Sequence, residues 1–384
     1  MAARTISPEQ FRDMVDADEP FTVVDTRDEE SFESWHIAGA IRYRHTGEEP
    51  LEVDRFERET GLGRDDPIVT MCAKGQASDH LADELAEAGY DSVSVVERGM
   101  EGWSEVYDGV RVPTAADNIA IVQVQRRAKG CLGYVVGDPT AGVAAAIDPT
   151  RHVAEFRDAA EAIGCDLVRV FDTHVHADHV SGGRRLADTV GVPYHLGRDA
   201  ADRDVGYEFE PVAPNEVVRV GDIDVKALAT PGHTSDQVSY LLDGEAAATG
   251  DALFTDSVGR TELQFGDRAA AEGAELLYES LHRTLLALPE PVTVLPGHAS
   301  VTNDGRYRDG TPGTPITATV GSVRTGLPLL QLDRSTFVER LQGSLPDKPP
   351  NYERVIAINT GRSTIENEQE ATELELGPNR CAME

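Results

Sequence analysis

Residues Val168 to Gly183 read V-R-V-F-D-T-H-V-H-A-D-H-V-S-G-G. An apolar run closes on His174, His176, Asp178 and His179, three imidazoles and a carboxylate within six residues. Alternation predicts that His174 and His176 face the same way, with Asp178 and His179 turned towards a neighbouring position. Imidazole and carboxylate donors suit zinc, iron or manganese. Thr230-Pro231-Gly232-His233-Thr234, Thr249-Gly250-Asp251 and Leu295-Pro296-Gly297-His298 follow other apolar runs, and five of the 11 histidines fall in these motifs. Ligands at the ends of separate strands can converge on one edge of a sandwich.

Around these motifs, short strands are predicted at 119–124, 132–136, 143–147, 168–172, 223–229, 238–242, 246–249 and 292–295. Helices are predicted at 152–163, 181–190 and 269–287. Strands outnumber helices and are joined by short turns, which fits stacked sheets with helices outside. The stretch D-G-V-R-V-P-T-A-A-D-N at 108–118 reads as a linker because of Gly109, Pro113 and its small polar residues. Before it, the order changes. Ser7-Pro8-Glu9-Gln10 opens a capped helix. Strands are predicted at 21–25, 67–72 and 93–96, with an amphipathic helix at 78–88. Strands alternating with helices imply a doubly wound parallel sheet.

Cys72 ends one of those strands and precedes Ala73, Lys74, Gly75, Gln76, Ala77 and Ser78. A thiol in such a loop faces backbone N–H groups and the positive end of a helix dipole. Gly75 permits the tight turn, Ser78 is expected to cap the helix, and Lys74 adds a cation. Val24-Asp25-Thr26-Arg27, Trp35-His36-Ile37-Ala38-Gly39-Ala40-Ile41 and Arg98-Gly99-Met100-Glu101-Gly102-Trp103 occur around it in order. With Cys72-x-x-Gly-x-x-Ser, they make this block resemble a rhodanese domain. The resemblance implies a sulfurtransferase in which Cys72 carries a persulfide cradled by the amides of residues 73–78. Asp25 and Arg27 are expected to form an ion pair behind the loop, and His36 to be structural.

The histidine and aspartate motifs resemble the metallo-β-lactamase superfamily, in its glyoxalase II and persulfide dioxygenase branch. The resemblance implies an αββα sandwich after the α/β rhodanese unit, with domains at 1–112 and 113–384, the second including a C-terminal extension. In the two-metal form, one ion takes His174, His176, His233 and Asp251. The other takes Asp178, His179, Asp251 as a bridge, and His298. In the dioxygenase form, a single Fe(II) takes His174, His233 and Asp251, and the remaining four residues support it. Asp172 to Gly182 and Val258 to Leu263 resemble the dioxygenase wording, and the Lys348–Asn359 segment resembles that of rhodanese-linked members.

That wording favours a persulfide dioxygenase with one Fe(II), acting on a thiol persulfide and O2 and releasing sulfite. Cys72 then exchanges sulfur with the same pool, with thiosulfate as a product. The alternative is a thioester hydrolase with two Zn(II). Arg260 is expected to bind a substrate carboxylate. Relatives that use glutathione often carry an aromatic residue two positions after the last histidine. Here His298 is followed by Ala299 and Ser300, which implies another low-molecular-weight thiol. The branch often dimerises, so a homodimer is implied. Cys131 and Cys165 are expected to be packing residues, and Cys381 to lie near an exposed tail.

Composition narrows the partners. The 384 residues carry 68 Asp and Glu against 35 Lys and Arg, a formal net charge of −33. Lysine is confined to Lys74, Lys129, Lys226 and Lys348. A field this negative argues against nucleic acid and anionic membranes. No apolar run approaches a membrane span, and M-A-A-R-T-I-S-P-E-Q-F has no apolar h-region. Four cysteines without C-x-x-C spacing suit a reduced, cytoplasmic protein.

Acidic surplus with scarce lysine resembles the proteins of extreme halophiles, in which salt screens self-repulsion. Dialysis from high salt into dilute buffer should therefore unfold or inactivate the chain, as followed by circular dichroism and activity. Full activity in dilute buffer would refute the halophilic reading.

Overall fold

A computed structural model describes residues 3–266, 270–343 and 348–383. β1 (Arg4–Ile6), β2 (Thr22–Asp25), β3 (Ile41–Arg42), β4 (Ile68–Met71) and β5 (Val93–Val96) form a parallel sheet in the order β1-β5-β4-β2-β3. Apolar clusters cover both of its faces. Phe11, Val23, Met71, Met100 and Trp103 lie in one, and Phe56, Leu81, Ala82, Leu85 and Val95 in the other. This is the doubly wound arrangement expected. The helix Pro8–Asp16 starts where predicted, with Ser7 and Gln10 in a reciprocal capping box.

Two further sheets follow. The first runs β6 (Tyr107–Val112), β7 (Ala120–Arg126), β8 (Cys131–Asp138), β9 (Val143–Ile147), β10 (Asp166–Phe171), β11 (Tyr194–Gly197) and β12 (Glu210–Val212), in sequential order. The second runs β13 (Val217–Val220), β14 (Ile223–Ala229), β15 (Val238–Leu242), β16 (Ala246–Gly250), β17 (Thr293–Pro296) and β18 (Ala318–Thr319). Tyr134, Ile147 and Phe171 of one sheet meet Val225, Tyr240 and Leu295 of the other in a shared core. The opposite face of the first sheet packs on Phe156, Ala159, Leu186 and Ala187 of the helices Val153–Ala162 and Gly183–Val190. The outer face of the second packs on Leu277, Val323, Phe337 and Leu341 of later helices. The layer order is therefore αββα.

The segment expected as a linker is partly a strand. β6 pairs antiparallel with β7 from Tyr107↔Arg126 to Val112↔Ile121. Tyr107, Val110 and Val112 are buried while Gly109 and Arg111 are exposed. Val110 and Val112 alternate with exposed neighbours and Tyr107 is buried on the opposite face, and together these outweigh the turn signal of Gly109. The helix predicted from 269 runs from Ala270 to Ser280 and continues as a π turn over Leu281–Leu285. Its predicted first residue, 269, lies outside the described residues.

Phe171 sits between the two sheets, fully buried, with its ring centroid 5.0 Å from that of Tyr240. Phe171→Ala should cost about 3–5 kcal/mol, as large aromatic truncations in tight cores do. Denaturant unfolding in high salt checks this, and a change below about 1 kcal/mol would mean that the sheets are not packed as described.

Candidate metal centre and sulfur-carrying loop

The predicted donors sit just beyond strand ends: His174 after β10, His233 after β14, Asp251 after β16 and His298 after β17. All are buried. Gly297 has to be glycine because a Cβ there would meet Asp251 Oδ1 at 2.5 Å.

His174, His233 and Asp251 place donor atoms within 4.8 Å of one another. Asp251 Oδ2 lies 3.8 Å from His174 Nε2 and 3.5 Å from His233 Nε2. Thr173 Oγ1 donates to Asp148 Oδ2 at 2.9 Å, so it accepts from His174 Nδ1, also at 2.9 Å. His233 Nδ1 donates to the Arg260 carbonyl at 2.6 Å. Both rings thus turn an Nε2 lone pair inward. Burial pushes both imidazoles below their ordinary range, which keeps them neutral. His174 Nε2 and Asp251 Oδ2 are buried with no hydrogen-bond partner among the described residues. Converging orphaned donors of this kind fit a bound cation.

The other donors are engaged differently. His298 donates from Nδ1 to Asp251 Oδ1 at 2.7 Å and from Nε2 to Asp178 Oδ2 at 2.9 Å. Burial opposes its protonation, but the two carboxylates dominate and hold it well above the usual histidine range. His179 Nδ1 lies 3.1 Å from Asp178 Oδ1. His176 stands beside His174, with their ring centroids 4.2 Å apart. Its Nε2 is 3.3 Å from Asp148 Oδ1, and it groups with Asp148 and Asp172. The loop turns at Val175, whose amide donates to Asp236 Oδ2 at 2.8 Å, so strand alternation does not extend through it.

Two cysteine expectations require correction. Cys381 is fully buried, and its sulfur groups with Asp178, Asp251 and His298. Cys131 groups with Asp178, His179 and His298. Burial raises the Cys131 thiol, but the His179 and His298 imidazoles outweigh that and bring it down to about 7. Backbone pairing explains both placements. Cys131 bridges His298, and the tail runs beside Val258–Arg260, with Arg260 N donating to the Cys381 carbonyl at 2.9 Å. Nothing local in the sequence signals these pairings. The tail also supplies Asn359, whose Nδ2 donates to the carbonyls of His176 and His179 at 2.9 and 2.8 Å.

Arg260 was expected to reach a substrate. Its side chain is fully buried, with Nε on Glu262 Oε1 at 2.6 Å and Nη1 on the Arg380 carbonyl at 2.8 Å. Its contact with the centre is the carbonyl that orients His233.

At the first site, Cys72 Sγ accepts from the Gly75 amide at 3.1 Å and from Ser78 Oγ at 3.3 Å. The helix is Gln76–Glu87 with Gly75 at its N-cap, so Ser78 lies inside the first turn rather than capping it. Of the loop residues 73–78, Lys74 points away from the expected role. Its Nζ sits 3.4 Å from Glu101 and 3.1 Å from Glu373, which neutralise it. Asp25 and Arg27 form the expected ion pair, at 2.6 Å. His36 Nδ1 bonds the Phe32 carbonyl at 2.7 Å, as a structural histidine does.

Residues 7–106 match the rhodanese-like domain family and residues 130–298 the metallo-beta-lactamase superfamily. Human mitochondrial persulfide dioxygenase ETHE1 is 30% identical over 231 residues, 59% of this chain and 82% of that protein. The chain belongs to the metallo-β-lactamase superfamily. This metallo-β-lactamase-fold chain is also 34% identical over 184 residues to a hydroxyacylglutathione hydrolase of Rhodopseudomonas palustris, covering 46% of the chain and 66% of the hydrolase. The crystal structure of ETHE1 from Myxococcus xanthus matches with a TM-score of 0.55 and 28% identity, over 63% of this chain and 98% of that one. No helix among the described residues is long and apolar enough to cross a membrane.

Gly99 has φ +53, and a Cβ there would lie 2.0 Å from the Cys72 carbonyl. Gly99→Ala should therefore displace the Cys72 loop and reduce sulfur transfer at least about tenfold, the effect of misplacing a reacting group by an ångström. A sulfurtransferase assay beside a thermal melt tests this; an unchanged rate would show that the close approach does not set the loop.

Proposed function

We propose that this chain oxidises a low-molecular-weight thiol persulfide at a single Fe(II) held by His174, His233 and Asp251. The overall reaction is RSSH + O2 + H2O → RSH + sulfite + 2 H+. Cys72 exchanges sulfane sulfur with the same pool. The observation that carries this reading is the division of labour at Asp251. Oδ2 is unpartnered and faces the two imidazoles, while Oδ1 is taken by His298, which also holds Asp178. That pattern supports a two-histidine, one-carboxylate site with the remaining donors in supporting roles.

When bound, ferrous iron supplies redox chemistry towards O2 with coordination positions left open. The protein's part is orientation, charge and exclusion of water. Thr173 and the Arg260 carbonyl hold the ring tautomers of His174 and His233. His298 keeps protons at both ring nitrogens between Asp251 and Asp178, which balances carboxylate charge in a site closed to solvent. Joining the two units in one chain raises the local concentration of the shared persulfide. The second reading, a thioester hydrolase with two zinc ions, is favoured by the likeness to the Rhodopseudomonas hydrolase. It would require His298 to exchange its hydrogen bonds for a metal bond.

Metal analysis of protein purified anaerobically in high salt separates the readings. About one iron per chain and persulfide-dependent O2 uptake are expected for the facial triad. About two zincs per chain, with thioester hydrolysis and no O2 uptake, would overturn the proposal.

A further inference from the structure

Glu375 is a carboxylate with no solvent exposure, and nothing in the chemistry above requires it. Its Oε1 accepts from the Val180 amide at 2.6 Å, directly after His179. Its Oε2 accepts from Arg126 Nη1 at 2.7 Å and Arg151 Nε at 2.9 Å. Both arginines are buried, and each also reaches the sulfurtransferase unit. Arg126 Nε donates to the Ser104 carbonyl at 2.7 Å, and Arg151 Nη2 to Glu105 Oε1 at 3.1 Å. Glu105 Oε2 in turn holds Arg98, the residue before Gly99, whose backbone packs on the Cys72 carbonyl. A continuous chain of charged contacts thus joins the Cys72 loop to the metal loop: Arg98, Glu105, Arg151, Glu375, Val180.

Stability does not account for such a cluster. Burying several charges carries a desolvation cost that their attraction often fails to offset, and apolar replacements are commonly as stable. Arg126 Nη2 is buried with no hydrogen-bond partner among the described residues, so part of that cost is left uncompensated. What the cluster does provide is definite geometry. A charge-assisted bond fixes the amide at the end of the metal loop, and its acceptor is fixed by two forked guanidiniums anchored in the other domain. From Val180 the constraint passes to Asp178, two residues earlier, and through His298 to Asp251.

We propose that Glu375 is a positioning residue for the metal loop, and that through Arg151 and Glu105 it makes the geometry of the metal centre depend on the sulfurtransferase domain. The proposal rests on the reading of His174, His233 and Asp251 as metal ligands. Coupling of this kind needs a measurement at one site while the other is changed.

The test uses the full-length chain in high salt, loaded with Co(II), whose visible spectrum reports coordination geometry without O2 or persulfide. Three variants are compared with the wild type: Glu375→Gln, Glu105→Gln and the double variant. Glu375→Gln should shift the Co(II) bands and weaken Co(II) binding about tenfold, as loss of an outer-shell partner does. Glu105→Gln, on the partly exposed rim of the other domain, should shift the same bands in the same direction. The double variant should fall short of the sum, because both act through Arg151. Wild-type bands and affinity in Glu105→Gln would overturn the proposal, and that variant keeps the test decisive even if Glu375→Gln fails to fold. A wild-type chain that takes up no Co(II) would overturn the metal reading and this proposal with it. A wild type that binds Co(II) beside variants that do not differ from it would overturn this proposal alone.

Discussion

Asp251 is a carboxylate taken entirely out of water, and the second half of the molecule is organised around keeping it charged. A buried carboxylate costs several kcal/mol unless it is paired and hydrogen-bonded. Burial alone would raise it into the neutral form; His298, held protonated between Asp251 and Asp178, reverses that and keeps it below the ordinary carboxylate range. Asp251 and His298 follow strands of the second sheet, and Asp178, the other partner of His298, follows a strand of the first. The two sheets must therefore close face to face before this cluster of three charged groups is complete. Core packing around Phe171 and Tyr240 and the electrostatics at the sheet edge are parts of one event.

The same constraint explains what could be seen in the sequence. Motifs in which a glycine precedes an aspartate or histidine at a strand end are local, and strands such as 143–147, 223–229 and 238–242 stand where their apolar patterns place them. The rhodanese unit was legible for the same reason, with its cysteine loop contiguous between strand and helix. Short strands at or next to a sheet edge were harder. β11, β12 and β13 have three or four residues each, too few for a periodic signal, and they are set by neighbours already in the sheet. Glycine and proline dominated the reading of β6, although its alternation was present.

Least legible was the part of the site built by contacts distant in the chain. Cys131 reaches the centre because its backbone bridges His298, and Cys381 because the tail pairs along Val258–Arg260. Neither carries a local motif. The spacing of His176 from His174 suggested neighbouring rings, and their centroids lie 4.2 Å apart, but the amide of Val175 is captured by Asp236, so a loop and not a strand sets that placement. Arg260 has a guanidinium whose charge drew attention in the sequence, and its backbone oxygen, which carries no sequence signal, orients His233.

The tail has a consequence for how the molecule is made. Cys381 lies within the cluster of donors, and Asn359 and Glu375 hold the backbone of the loop that carries His176, His179 and Val180. Synthesis is vectorial, and domains emerge in order from the N-terminal side. The rhodanese-like unit can finish its sheet while the rest of the chain is still being made. The cluster of donors cannot be complete at that stage, since Cys381 and the side chains that hold its loop lie beyond residue 350. The last residues to be made are thus the ones that finish it.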